Sequence, residues 1–346
     1  MDELVKAIKL EMWLRKDYLH DQHIQTIYFG GGTPSLLKAQ QLEDIIRACK
    51  TVFNVDDQAE ITMEANPDDL NPEYLKTIQQ IGVNRISIGI QSLSQSDLKL
   101  MKRRHNPIQA KNAVKFAREA GFKNISVDLI YGVPHMSFEQ WHENLNQIFD
   151  MKVEHVSAYH LTYHQNTSLW ADLQKGIISE IAENESLQQF DELVNTARKY
   201  GFIHYEISNF AKPGFFSQHN SSYWNKTEYL GLGPSAHSYD KNSRQWNVSS
   251  LTHYLLALNH QKIPFEKEEL SEKDRFNEYM ITSLRTMWGI DLNLVKKEFG
   301  NTFLNHLKII GEKYLKTNQV LVDDNTIRLA RNGLFVSDTI MTDFML

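Results

Sequence analysis

The alternation of two periodicities constrains this chain more than any other property of its sequence. From the start to about residue 210, short runs rich in β-branched and aromatic residues alternate with longer stretches whose apolar residues recur every three or four positions. The strand-like runs are IQTIYFG (24–30), EITMEANP (60–67), RISIGIQ (85–91), NISVDLIYG (124–132), HVSAYHLTY (155–163) and HYEISNF (204–210). Stretches such as SLLKAQQLEDIIRACKTVF, PIQAKNAVKFAREAGF and SFEQWHENLNQIF lie between them and read as crossover helices. A strand, helix, strand repeat demands a parallel sheet with right-handed connections, either doubly wound or a partial or complete β/α barrel. Ligand chemistry then belongs at the carboxyl ends of the strands.

At 346 residues the chain exceeds the size at which a single core usually stops growing, so a smaller unit beside the α/β one is expected. The pattern changes near residue 265. Charged helical stretches (SEKDRFNEYMITSLRTMWG, DLNLVKKEF, TFLNHLKIIGEKYL) precede QVLVDDNTIRLA, which reads as a hairpin turning at Asp323 to Asn325, and a last helix follows. Three expected segments result: an α/β core over 1–215, a connecting segment over 216–264, and a small winged-helix-like α+β domain over 265–346. Winged-helix domains often bind DNA, but this one carries 11 Lys+Arg against 13 Asp+Glu, which leaves no phosphate footprint.

The whole chain has a formal charge of -6, so neither nucleic acid nor anionic lipid is an expected partner. No apolar run approaches the ~20 residues that span a bilayer. The first segment, MDELVKAIKLEMWLRKDYLH, is charged throughout and reads as an amphipathic helix, not a signal peptide, so a cytoplasmic location is expected. One cysteine, Cys49, excludes an internal disulfide and a cysteine-rich metal site built from this chain alone.

Several strands end in polar residues that a purely structural strand does not need. GGGTPS (Gly30 to Ser35) closes the first: its glycines let the backbone approach a ligand and expose N–H groups, although a tight strand-to-helix turn explains them equally well. Glu64, Gln91 and Asp128 stand at or near the next three strand ends, which in a parallel sheet converge on one crevice. HNSSYW (His219 to Trp224), read on its own, is a surface loop whose aromatics pack down, just before the glycine-rich turn GLGPSAHSY.

The series YFGGGTPS, ITMEANP, NRISIGIQS, VDLIYGVP and HVSAYHLT resembles the radical S-adenosylmethionine (SAM) enzymes of the oxygen-independent coproporphyrinogen III oxidase family, over essentially the whole chain. The resemblance implies a partial (β/α)6 barrel. It further implies that Gly31, Gly32 and Thr33 line the methionine end of SAM, and that Glu64, Gln91, Arg103, Asp128 and Thr162 hold its remaining polar groups. Arg103 suits a carboxylate because its planar fork bonds both oxygens, and Asp128 suits a ribose because it accepts two hydroxyl protons.

Within that family, HNSSYW resembles the HNxxYW signature of the heme chaperone branch, HemW, and the flanking YEISNFAKPG and YLGLGPSAHSY resemble that branch too. There His219 is the heme-linked residue, Tyr223 and Trp224 offer flat surface to a porphyrin, and His237 is a weaker second candidate. The implied function is to bind heme and pass it to a recipient hemoprotein. The alternatives are an oxygen-independent coproporphyrinogen III dehydrogenase, which decarboxylates propionate side chains by radical chemistry, and a barrel enzyme for another polar ligand.

The family carries CxxxCxxC after a first strand, whose thiolates hold a 4Fe-4S cluster. This chain starts at what resembles the helix after that loop, and Cys49 lies in a later helix as a buried structural residue. As written, the chain is expected neither to assemble the cluster nor to cleave SAM reductively, and whether it is an enzyme stays open. The expectation is a barrel missing its first strand, with IQTIYFG at an exposed sheet edge, in a shortened chain or a reading frame opened at an internal methionine.

Overall fold

In a computed structural model that describes residues 1–323 and 325–346, the expected strands form one seven-stranded sheet. They are β1 (His23–Phe29), β2 (Asn54–Ala65), β3 (Arg85–Gln91), β4 (Asn124–Tyr131), β5 (His155–His160), β6 (Ile203–Glu206) and β7 (Asn209–Ala211), in the order β1-β2-β3-β4-β5-β7-β6. From β2 to β5 neighbouring strands run parallel, as expected of a partial β/α barrel. All seven residues of β3 are buried, the signature of a parallel strand covered on both faces.

The chain divides into two compact units, one of residues 27–39 and 60–217 and one of residues 1–26, 40–59 and 218–346. The first holds most of the sheet. Its helix Pro107–Glu119 starts with a capping box between Asn106 and Gln109 and buries Ala110, Ala113, Val114 and Ala117, whose small side chains make a narrow apolar stripe. The helix Phe138–Asp150 starts with the same device, Ser137 with Gln140, and buries Trp141, Leu145, Ile148 and Phe149. Trp141 Nε1 donates to the Gln189 carbonyl at 2.7 Å, so the one polar atom of this buried ring is satisfied.

Two strand expectations need correction. HYEISNF is not one strand but two, β6 and β7, paired antiparallel; Glu206 accepts the Ser208 N–H at 3.1 Å and a hydrogen bond from Asn209, stabilising the reversal. HVSAYHLTY is strand only as far as His160, so Thr162 lies beyond the strand end.

The second unit contains the first helix, Asp2–Leu14, amphipathic as expected but with a fully buried carboxylate, Glu11. Glu11 accepts from Tyr254 Oη at 2.6 Å, Asn247 Nδ2 at 2.7 Å and the Gly233 N–H at 2.9 Å, and pairs with Arg15 Nε at 3.1 Å. Arg15 in turn donates to Gln245 and Asn247, both at 3.0 Å. The glycine-rich segment is thus tied to the first helix through Gly233, which holds φ at 105°, a conformation that favours glycine. The segment 216–264 carries β8 (His237–Tyr239) and β9 (Ser243–Asn247), which with β10 (Phe265–Glu269) form an antiparallel sheet in the order β10-β9-β8.

The C-terminal part is the expected small α+β arrangement. Helix Glu272–Leu284 leads to β11 (Ile290–Asp291), then to a helical stretch Leu292–Lys316 interrupted at Gly300 (φ 84°), then to the hairpin of β12 (Val320–Asp323) and β13 (Thr326–Leu329). The sheet order is β11-β13-β12, and the helix Ser337–Phe344 closes the chain's apolar face with buried Ile340, Met341 and Phe344. Asp324 of the expected turn lies outside the described residues.

Candidate functional site

The GGGTPS loop begins where β1 ends. Gly31 and Gly32 hold φ at 73° and 61°, so the loop turns through a conformation that L side chains rarely adopt, and a Cβ on either would meet open space. Gly30 has a different reason: a Cβ there would run into the Tyr28 ring and come within 3.0 Å of Glu64 Oε1. Tyr28 donates its hydroxyl to Glu64 Oε1 at 2.5 Å and Gly31 gives its N–H to Glu64 Oε2 at 3.3 Å, so the Glu64 carboxylate is fixed from two sides. Burial, then the Glu64 charge, push the Tyr28 phenol far above its ordinary range, which keeps it a donor.

Beside Glu64 the register brings Ser87 of β3, and Ser87, Gly89 and Gln91 then follow at two-residue spacing on one face. Gln91 is buried at φ 65°, where the β3–β4 register shifts, a strained conformation of the kind that costs about 1–3 kcal/mol. A Cβ at Gly89 would lie 2.9 Å from Gln91 Nε2, so the Gln91 amide folds back over the glycine. On β4, Asp128 accepts the Ser87 hydroxyl at 3.2 Å. Burial, aided by the Glu64 charge, pushes the Asp128 carboxyl up to about 6, against the hydrogen bonds of Ser157 and Ser87. Arg103 is the cation of the site; burial pulls its guanidinium down, while Asp128 and Asp68 oppose the shift.

These groups line a polar cleft of about 170 Å³. Of the residues expected from the sequence, Gly32, Thr33, Glu64, Gln91, Arg103 and Asp128 line it together. Gly31 reaches it through its hydrogen bond to Glu64. Thr162 is not among the lining residues; it is exposed, with Oγ1 3.4 Å from the His160 carbonyl. Ser35, Asn66, Ser87 and Gly89 also line the cleft and escaped the sequence reading. Ser35 donates to Asp69 at 2.7 Å, and Asp69 in turn takes Arg104 at 2.9 Å, which braces the loop. Two carboxylates, a guanidinium and backbone N–H groups in one small cleft can hold a ligand with ammonium, carboxylate and hydroxyl groups.

HNSSYW is not a loop but the core of a helix, Gln218–Trp224. His219 and Tyr223 are therefore one turn apart on one face, and Nε2 stands 3.0 Å from Tyr223 Oη with the rings edge to face at 5.1 Å. The other nitrogen, Nδ1, meets Thr26 Oγ1 at 2.9 Å. Tyr223 meets Tyr229 edge to face at 4.8 Å, and Tyr229 pairs with Tyr239 through two backbone hydrogen bonds of 3.0 Å. His237 opens β8, exposed, with its ring 6.1 Å from Trp246.

The Radical SAM superfamily pattern matches residues 6–148. Heme chaperone HemW of Lactococcus lactis is 33% identical over 94% of this chain and 86% of its own length, and heme chaperone HemW of Bacillus subtilis is 30% identical over 100% and 92%. The chain belongs to the HemW family of radical SAM proteins. The fold agrees: Escherichia coli coproporphyrinogen III oxidase (HemN), described as a radical SAM enzyme, superposes with a TM-score of 0.84 over 99% of this chain and 83% of its own, at 22% identity.

Membership of the family does not supply this chain with cluster ligands. Cys49 is buried in the helix Ala39–Val52, where burial pushes its thiol up to about 11, and among the described residues no group of three or more His, Cys, Asp or Glu is placed to hold a metal. The residues present therefore do not fit a 4Fe-4S cluster. No helix among the described residues is long and apolar enough to cross a membrane.

Proposed function

We propose that this protein binds heme through His219 and passes it to a recipient hemoprotein. The observation that carries the reading is the setting of His219. Thr26 engages Nδ1 and Tyr223 engages Nε2, both through hydroxyls and neither through a carboxylate. A hydrogen bond at Nδ1 orients an imidazole and selects its tautomer, as partners of iron-bound histidines do. Tyr223 is 39% exposed, and an incoming iron would compete with its hydroxyl for Nε2. The names of the L. lactis and B. subtilis relatives support the same reading.

The polar cleft is the proposed seat of SAM, and its donors and acceptors fit that molecule. Arg103 would take the carboxylate, Asp128 the ribose hydroxyls, Glu64 and Gln91 the remaining polar groups, and the backbone of Gly31, Gly32 and Thr33 the methionine end; Thr162 has only the family resemblance in its favour. SAM supplies radical chemistry where a reduced cluster meets it. This chain's own residues bind and orient: Ser87 and Ser157 keep Asp128 an acceptor, and Tyr28 holds Glu64 in place. The dehydrogenase reading has no separate support, because likeness to the coproporphyrinogen III oxidase at 22% identity extends to fold alone.

Titration with hemin tests the proposal. A shifted Soret band that His219→Ala weakens is the expected result, and no shifted band with the wild-type chain would overturn the proposal. Conversion of coproporphyrinogen without hemin binding would favour the dehydrogenase.

A further inference from the structure

A second cavity, of about 690 Å³, lies wholly within the unit that contains residues 218–346. That is within the roughly 300–1,000 Å³ typical of small-molecule sites. Its apolar wall is aromatic: Trp224, Tyr279, Trp288 and Phe299. Its polar wall carries Lys226, Lys241, Arg275 and Glu298, and Lys241 also pairs with Glu228 at 3.3 Å. Trp288 is 44% exposed at its rim, and Trp224 Nε1 is buried with no hydrogen-bond partner.

The cations are held there against their preferences. Lys226 and Lys241 both sit in the left-handed region, at φ 54° and 73°, which for non-glycine residues is a strained backbone. The Lys226 ammonium stands 4.3 Å over the Tyr279 ring and 5.1 Å over the Phe299 ring, with Glu298 Oε2 at 3.5 Å. Burial pulls its pKa down, against the Glu298 and Glu278 charges, and the Arg275 charge adds to the shift, so a bound anion beside Lys226 would favour its charged form. The half-exposed Trp288 ring, beside aromatic rings that already carry cations on their faces, matches a flat, apolar molecule with carboxylates on its rim.

Building on the heme reading above, we propose that this cavity is a second, non-ligating tetrapyrrole seat, which grips the macrocycle by its faces and its propionate carboxylates and not by its iron. One helix joins the two sites. His219 is the second residue of Gln218–Trp224 and Trp224 the last, about 7.5 Å apart along the axis at 1.5 Å per residue. The iron-ligating residue and the aromatic wall of the non-ligating seat are therefore carried by one rigid element, an arrangement suited to a cargo that is first ligated and then released.

Iron-free protoporphyrin IX tests this, because it cannot be ligated. Binding followed by porphyrin fluorescence should be saturable with the wild-type chain and unchanged in His219→Ala. Lys226→Met and Trp288→Ala should each weaken it about tenfold, the loss expected for one charge-assisted contact or one stacked ring. Protoporphyrin dimethyl ester, which lacks the carboxylates, should bind the wild type at least tenfold more weakly, a comparison that needs no altered protein. Equal binding of acid and ester, or no effect of Lys226→Met and Trp288→Ala with circular dichroism unchanged, would overturn the proposal. In either case a hemin spectrum that still depends on His219 would leave the heme reading standing. Hemin binding lost from the wild type would sink that reading instead.

Discussion

Ser87 on β3 donates its hydroxyl to Asp128 on β4 at 3.2 Å, across neighbouring parallel strands and at the floor of the polar cleft. This bond steadies an ionised Asp128 that burial and Glu64 disfavour, with its carboxyl raised from 3.8 to about 6. A carboxyl raised in the folded state binds its proton more tightly there than in the unfolded chain. Its favourable contribution is fully present below about pH 4 and is lost as pH rises through 6, so at pH 7.5 Asp128 costs stability, on the order of 1–3 kcal/mol. Asp128→Asn should therefore raise the denaturation midpoint at pH 7.5, and the gain should shrink towards pH 4. Denaturant titration at the two pH values checks it; an equal or larger gain at pH 4 would contradict the account.

SAM affinity follows from the same cleft. Polar contacts must offset the ordering of a flexible ligand without a metal to anchor it, so the chain should show no saturable binding below about 100 μM in calorimetry. Micromolar binding would mean that Arg103, Asp128 and Glu64 suffice alone.

The Glu11 network predicts a large effect on stability. Glu11→Ala leaves Arg15, itself buried, without its carboxylate partner and should cost about 3–5 kcal/mol of unfolding free energy. Tyr254→Phe removes a single hydrogen bond to the same carboxylate and should cost about 1–2 kcal/mol. Denaturant unfolding that finds the two variants equal would show that the ion pair adds little.

Two glycines of the cleft should behave differently. Gly30→Ala drives a Cβ into the Tyr28 ring and should lose about 1–3 kcal/mol, because a packed ring cannot yield cheaply. Gly89→Ala crowds the far end of the Gln91 side chain and meets the Ala65 carbonyl at an ordinary 3.8 Å, so stability should fall by less than about 1 kcal/mol while the amide is displaced from the cleft. Thermal unfolding ranks them, and the reverse order would be wrong for this geometry.

The parallel sheet was legible in the sequence because short β-branched runs such as RISIGIQ, with isoleucine at every second position, alternate with longer stretches of helical period. Glu64, Gln91 and Asp128 were legible as polar groups at strand ends that need none, whereas Arg103 came only from the family resemblance. Ser87 was legible in principle, two pleats before Gln91, but a serine within a buried strand signals little until its partner, Asp128, is known. The helix Gln218–Trp224 was not legible: seven residues hold no full apolar period, and Asn220, Ser221 and Ser222 favour turns and caps. The sheet of β8, β9 and β10 was missed for a related reason, since every residue of β10 is exposed and FEKEE shows no buried face.

The most direct measurement is the visible spectrum of hemin with wild-type protein, His219→Ala and Tyr223→Phe. An axial Fe–N bond sets the electronic spectrum, whereas one half-buried side chain on a seven-residue helix contributes little to the far-ultraviolet signal. His219→Ala should lose the wild-type Soret position and weaken binding at least tenfold. Tyr223→Phe, which removes the competing hydroxyl from Nε2, should keep that position and bind equally or more tightly. Far-ultraviolet circular dichroism should be unchanged in both. A His219→Ala protein with the wild-type spectrum and affinity would contradict the assignment and make His237 the next residue to replace.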